Sequence, residues 1–113
     1  MIKIYHNPRC AKSRQGLAFL QEKNLEFETV LYLKNGLTHQ ELSSILQQLD
    51  IRPEALLRKS EKIWKENYKG KELSDQEIIK AMLENPKLIE RPIVSNGKKA
   101  VIARPAETID TVL

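Results

Sequence analysis

One cysteine, Cys10, stands where a chain would place a reactive thiol. It follows the alternating segment Ile2 to Tyr5 and the turn-forming pair Asn7-Pro8, and it precedes residues that read as a helix from about Lys12 to Lys23. At a helix start, unpaired backbone N–H groups and the positive end of the dipole stabilise a thiolate, and Arg9, Lys12 and Arg14 add positive charge close by in sequence. The competing reading, a buried and inert cysteine, is disfavoured because polar and basic neighbours offer little apolar material to cover the sulfur. Position 13 is serine, so Cys-Ala-Lys-Ser cannot close the disulfide of a Cys-x-x-Cys oxidoreductase, and a second thiol has to come from another molecule. Ser13 either donates to the thiolate or caps the helix. Arg14 follows Cys10 too closely for the Cys-x5-Arg loop of a tyrosine phosphatase. His6 could tune the thiol, although a loop histidine is more often a surface residue. One cysteine with two distant histidines, His6 and His39, makes no zinc site, so no metal is expected.

Three arginines add to this picture. Arg58 lies in Leu-Leu-Arg-Lys, Arg91 in Glu-Arg-Pro-Ile and Arg104 in Ala-Arg-Pro-Ala. A residue before proline is held extended, which leaves the Arg91 and Arg104 guanidiniums at element boundaries where they can face a cleft. Each alone reads as an ordinary surface residue. Together with a thiolate they suggest a pocket for a tetrahedral oxyanion, which guanidinium forks grip in bidentate fashion.

The elements that must position these groups follow from periodicity. Leu25 to Leu31 alternates and reads as a second strand ending before Asn35-Gly36. Strand, helix and strand in so few residues form a right-handed βαβ unit with parallel strands. Thr38 with Glu41 is a capping box ahead of Leu42, Ile45, Leu46 and Leu49 at helical spacing. Pro53 opens a short helix to about Lys59, and Ile63, Trp64 and Tyr68 mark another. Ser74 with Glu77 repeats the capping box before a helix that ends at Asn85-Pro86. Strand character returns at Ile93 and Val94. Asn96-Gly97 then signals a hairpin, Ala100 to Ile102 is the return strand, and Pro105 opens a last helix containing Ile109, Val112 and Leu113. The expected fold is α/β: a four-stranded mixed sheet in the order βαβ, helical insertion, ββα. It forms a single domain over 1–113, with the insertion over about 38–85.

Composition narrows the function classes. With 113 residues and one cysteine, a disulfide scaffold is excluded, and no apolar run approaches the roughly 20 residues of a membrane span. Nineteen Lys and Arg against 15 Asp and Glu give a net charge of +4, but the charges intermix along helices and aromatics are only 5%, so no nucleic-acid partner is expected. The N-terminus enters strand-like alternation without a basic leader, apolar segment and cleavage site, which points to a cytoplasmic protein.

Four ordered motifs, Ile-Tyr-His-Asn-Pro-Arg-Cys-Ala-Lys-Ser-Arg, Ala-Leu-Leu-Arg-Lys, Arg-Pro-Ile-Val and Arg-Pro-Ala-Glu, span nearly the whole chain. It resembles the glutaredoxin-linked arsenate reductases of bacteria, the ArsC family. The resemblance implies a thioredoxin-like fold with a helical insertion and a cis-proline, Pro92, beside the active site. It makes Cys10 the nucleophile on arsenate and gives oxyanion binding to Arg58, Arg91 and Arg104. His6 and Asn7 match the start of the cysteine loop, and Ser13 and Arg14 its end. The implied partners are arsenate, glutathione as co-substrate and glutaredoxin, with no bound cofactor and a monomeric state, in the service of arsenic detoxification. Ala11 and Lys12 stand where other members often carry Gly and Thr, and the short C-terminus matches the chromosomal subgroup. Two other readings share the fold and the cysteine: an Spx-like regulator of transcription, which ordinarily uses Cys-x-x-Cys, and a general glutathione-dependent thiol reductase.

Overall fold

The computed structural model describes residues 1–113. They divide into two compact units, a sheet unit formed by 1–35 and 91–113 and a helical unit formed by 36–90.

The sheet unit contains β1 (Ile2–Tyr5), α1 (Ala11–Glu22), β2 (Phe27–Val30), a single helical turn α2 (Tyr32–Asn35), β3 (Ile93–Ser95) and β4 (Ala100–Ile102), closed by a 3-10 helix over Ala106–Val112. The strand order is β2-β1-β3-β4. β1 runs parallel to β2, with Ile4 opposite Thr29, and antiparallel to β3, with Ile4 opposite Val94. β3 and β4 are antiparallel, with Val94 opposite Val101. This is the thioredoxin-like α/β arrangement the sequence implies. Ile4, Leu20, Val94, Ala103, Ile109 and Val112 form one buried cluster, so α1 and the C-terminal 3-10 helix share the apolar face of the central strands. Lys23 pairs with Asp110 at 3.2 Å across those two helices and lies 4.9 Å from the centre of the Phe19 ring.

The helical unit contains α3 (His39–Leu49), α4 (Pro53–Leu56), α5 (Lys62–Asn67), α6 (Asp75–Glu84) and a 3-10 turn over Pro86–Leu88. Both predicted capping boxes are present. Thr38 Oγ1 accepts from Glu41 N–H and Glu41 Oε1 from Thr38 N–H, and Ser74 and Glu77 do the same for α6. Leu42, Ile45, Ile79 and Met82 are buried, as the amphipathic spacing of α3 and α6 requires. Trp64 stacks on Tyr68 with ring centres 5.2 Å apart. No helix of either unit is long and apolar enough to cross a membrane.

Several boundaries differ from the sequence reading. β2 stops at Val30 because Leu31 begins a turn, its carbonyl accepting from Lys34 and Asn35 N–H. The helix expected to run from Pro53 to Lys59 ends at Leu56, because Leu57 turns extended and bridges to Ile89. The β3–β4 turn centres one residue later than Asn96-Gly97. Asn96 N–H donates to the Lys99 carbonyl, leaving Gly97, at φ +94°, and Lys98 as the central pair. A positive φ at the first central position is where such a turn favours glycine. The last helix is 3-10 rather than α throughout.

Candidate active site

Cys10 occupies the N-cap of α1, extended at φ −97° and ψ 124°, with no side-chain capping bond. Asn7 shapes the loop that brings it there. The Asn7 carbonyl accepts from Cys10 N–H at 3.0 Å, its Oδ1 accepts from Arg9 N–H at 3.0 Å, and its own N–H donates to Ser13 Oγ at 3.3 Å. Arg14 Nη1 donates to the Pro8 carbonyl at 2.9 Å, which fastens the loop to the first turn of the helix.

The sulfur is buried, with Cys10 only 8% exposed, so the expectation that loop polarity would leave it uncovered is corrected. Burial pushes the thiol pKa up. The backbone N–H groups of Ser13 and Lys12, and the charge and hydrogen bond of the Arg91 guanidinium, outweigh burial and leave it below its ordinary value. The thiolate is therefore supported by the helix-start N–H groups, as the sequence anticipates, though the charge beside it comes from another arginine. The helix contributes its N–H groups, and the guanidinium hydrogen-bonded to the sulfur is that of Arg91, far along the chain. Ser13 does not cap the helix, since Cys10 holds that position. Its side chain is fully buried and ties the helix back to Asn7.

His6 also departs from expectation. It is 5% exposed rather than a surface residue, because its N–H extends the β1–β2 ladder to the Val30 carbonyl at 2.9 Å and carries the ring inward. Its Nδ1 is buried without a hydrogen-bond partner. Burial lowers its pKa, and the Arg14 charge acts in the same direction against the Ser13 backbone, so the ring is neutral at pH 7.

The other predicted residues divide between the two units. The Arg91–Pro92 peptide is cis, and so is Arg104–Pro105, which sequence did not indicate. Ala103 N–H donates to the Pro92 carbonyl at 2.8 Å, one step past the β3–β4 pairing, so Arg91 and Arg104 flank the same end of that ladder. Arg58 belongs to the helical unit. There it pairs with Glu61 at 3.3 Å and Glu90 at 3.8 Å and donates to the Lys87 carbonyl at 3.3 Å.

One residue beside the site has no counterpart in the sequence reading. Gly16 is buried on α1, and a Cβ there would lie 3.0 Å from Pro92 Cγ and 3.5 Å from Ile4 Cδ1. Sequence favours Leu17, Phe19 and Leu20 as the inner stripe of α1, whereas the fully packed positions are Ser13, Gly16 and Leu20. The available signal was a glycine three residues after Ser13 inside an otherwise sound helix.

A sequence model described as the ArsC family matches residues 5–112. An arsenate reductase of Haemophilus influenzae is 43% identical over 97% of both chains. The Escherichia coli protein YfgD, described as uncharacterized, is 44% identical over 96% of this chain and 92% of its own. Among solved structures, an arsenate reductase from Vibrio cholerae superposes with a TM-score of 0.92 at 41% identity, covering 99% of this chain and 97% of the other.

Proposed function

Since the chain belongs to the ArsC family, we propose that it is an arsenate reductase that works through a covalent adduct on Cys10. The observation that carries this reading is the Cys10 sulfur at an uncapped helix start with the Arg91 guanidinium hydrogen-bonded to it, a nucleophile beside an oxyanion clamp. The three catalysed steps balance as one arsenate and two external thiols giving one arsenite, one disulfide and one water.

In the first step the Cys10 thiolate attacks As(V), and an arsenate hydroxyl leaves with a proton as water. The N–H groups of Lys12 and Ser13 and the Arg91 guanidinium, which hold the thiolate, also stabilise the anionic adduct. Arg104, at the same end of the β3–β4 ladder, supplies a second fork, and the resemblance to the family assigns a third to Arg58. In the second step the glutathione sulfur attacks the arsenic of the adduct and takes the place of a second arsenate hydroxyl, which leaves with the thiol proton as water. In the third, the glutaredoxin thiol takes the glutathione sulfur as a mixed disulfide, the electron pair of the broken As–S bond stays on arsenic and so reduces As(V) to As(III), and hydrolysis releases arsenite from Cys10. The absence of a second cysteine supports external thiols as reductants, and these are held reduced in the cytoplasm, where we place the protein as a monomer.

The test is NADPH-coupled arsenate reduction with glutathione, glutaredoxin and glutathione reductase, comparing wild type with Cys10→Ser and Arg91→Ala. Turnover by wild type and its loss in Cys10→Ser are expected. No turnover with this donor system, or with thioredoxin in its place, would overturn the reading.

A further inference from the structure

We propose that Gly16 is a positioning residue for the thiol: its missing side chain lets the Pro92 ring seat directly on α1, and that seat holds the neighbouring Arg91 guanidinium against the Cys10 sulfur. The inference rests on the reading of Cys10 as the working nucleophile and adds a residue that touches neither substrate nor sulfur.

Helix α1 and the Arg91–Pro92 segment meet at two points. One is polar, where the Arg91 guanidinium hydrogen-bonds the sulfur at the head of the helix. The other is apolar, where the Pro92 ring covers Gly16, six residues further along. Backbone conformation does not call for glycine at position 16, which lies within α1, and glycine is the least favourable residue there after proline. The close approach does call for it. A Cβ 3.0 Å from Pro92 Cγ is closer than side-chain carbons ordinarily pack, so either the ring or the helix would have to give by a few tenths of an ångström.

Neither has an easy retreat. Ile4, fully buried on β1, has its Cδ1 only 3.5 Å from the same Cβ. Pro92 is buried, and its carbonyl is engaged by Ala103 N–H at 2.8 Å. A displacement of Pro92 is therefore passed to the residue joined to it, Arg91, and a hydrogen bond weakens steeply as its distance and angle degrade. Ser13, Gly16 and Leu20 lie on one buried stripe, so the contact sits between the polar end of α1 and the apolar core.

The experiment follows the alkylation of Cys10 by iodoacetamide across pH, which reports the thiolate fraction without arsenate or any reductant. Gly16→Ala is expected to lower the apparent acid dissociation constant of Cys10 by about three- to tenfold. In an Arg91→Ala background the same substitution is expected to add nothing. An unchanged constant in Gly16→Ala would overturn the proposal, and so would an equal loss in both backgrounds, which is what general loosening of α1 produces. Should Gly16→Ala fail to fold, Ile4→Val removes the Cδ1 that lies 3.5 Å from the new methyl, and the comparison is made in that background. Failure to fold there as well would assign Gly16 to the fold alone and overturn the proposal. If wild type shows no arsenate turnover while the alkylation results hold, the functional reading fails and the positioning role stands.

Discussion

Helices α3 and α6 of the helical unit close their own N-termini, whereas α1 of the sheet unit leaves its N-terminus open. Thr38 and Ser74 each accept from the third helical N–H, and Glu41 and Glu77 return the bond to the cap residue. The Ser74 N–H and hydroxyl hold the Glu77 carboxyl below the usual range. At the equivalent position of α1 stands Cys10, whose side chain makes no capping bond and whose sulfur instead faces the N–H groups of Lys12 and Ser13. Orphan donors of the kind that begin every helix are bonded by the helix's own side chains in one unit, and in the other those of Lys12 and Ser13 are available to an anion. Two positions decide which: a hydroxyl at the cap with a carboxylate three positions on gives a closed end, and a thiol with a serine three positions on gives an open one.

The largest effect should come from closing the open helix. Cys10→Ser places a good cap on an already extended N-cap residue. Turnover in the coupled arsenate assay is expected to fall to background, while urea unfolding shows stability unchanged or raised by up to about 1 kcal/mol. A fall in stability would show that the sulfur, not the cap position, holds the start of α1.

Arg91→Ala keeps the open end but removes the guanidinium. Turnover is expected to fall by about a hundredfold, the scale for loss of one preorganised donor to a developing oxyanion. The pH midpoint of Cys10 alkylation should move up toward the ordinary thiol value.

The reverse manipulation opens the closed ends. Thr38→Ala and Ser74→Ala should each cost about 1 kcal/mol in urea unfolding and leave Cys10 alkylation unchanged. A changed alkylation profile would mean that the two classes of helix start are not separate in function.

The smallest effect is on the pH dependence of stability. Both Cys10 and His6 have lowered pKa values in the folded protein, so each contributes stability that is present above its unfolded pKa and is lost as pH falls through the folded value. The unfolded reference values set the upper edges of the two windows, about 8.5 for the thiol and about 6.5 for the imidazole. Urea midpoints of wild type should therefore decline from the alkaline side down, and Cys10→Ala should flatten the upper part of the decline. His6→Gln should flatten the part below about pH 6.5. A steeper decline in His6→Gln would mean that the buried ring is charged in the folded state.

Legibility in the sequence followed how local each determinant was. The capping boxes were readable because Thr38 and Glu41, or Ser74 and Glu77, carry both halves of the interaction within four residues. The strands read correctly where apolar and polar residues alternate, but Leu31 continued the alternation of β2 after the backbone had already turned. Within the site, Cys10 was legible from its place between a strand and a helix, and Arg91 and Arg104 from the prolines that follow them. Burial of Cys10 and His6 was not, because it depends on how the folded chain packs around the loop and not on the polarity of the loop's own residues. Gly16 was missed for the same reason: only packing against Pro92 shows why a helix would carry a glycine there.

The β3–β4 hairpin acts as a gauge for the site as well as a connection. Its pairing of Ser95 with Ala100 counts forward through Ile93 and Ile102 to the Pro92–Ala103 bond, and so fixes how far along each strand the chain has travelled when Arg91 and Arg104 leave the ladder. Side chains alternate faces at every step, so one residue inserted between Asn96 and Lys99 would change the phase of one arm against the other and turn one arginine away from its companion. The length of a surface turn at the opposite end of two three-residue strands thus sets the spacing of Arg91 and Arg104, two charges the turn itself never touches.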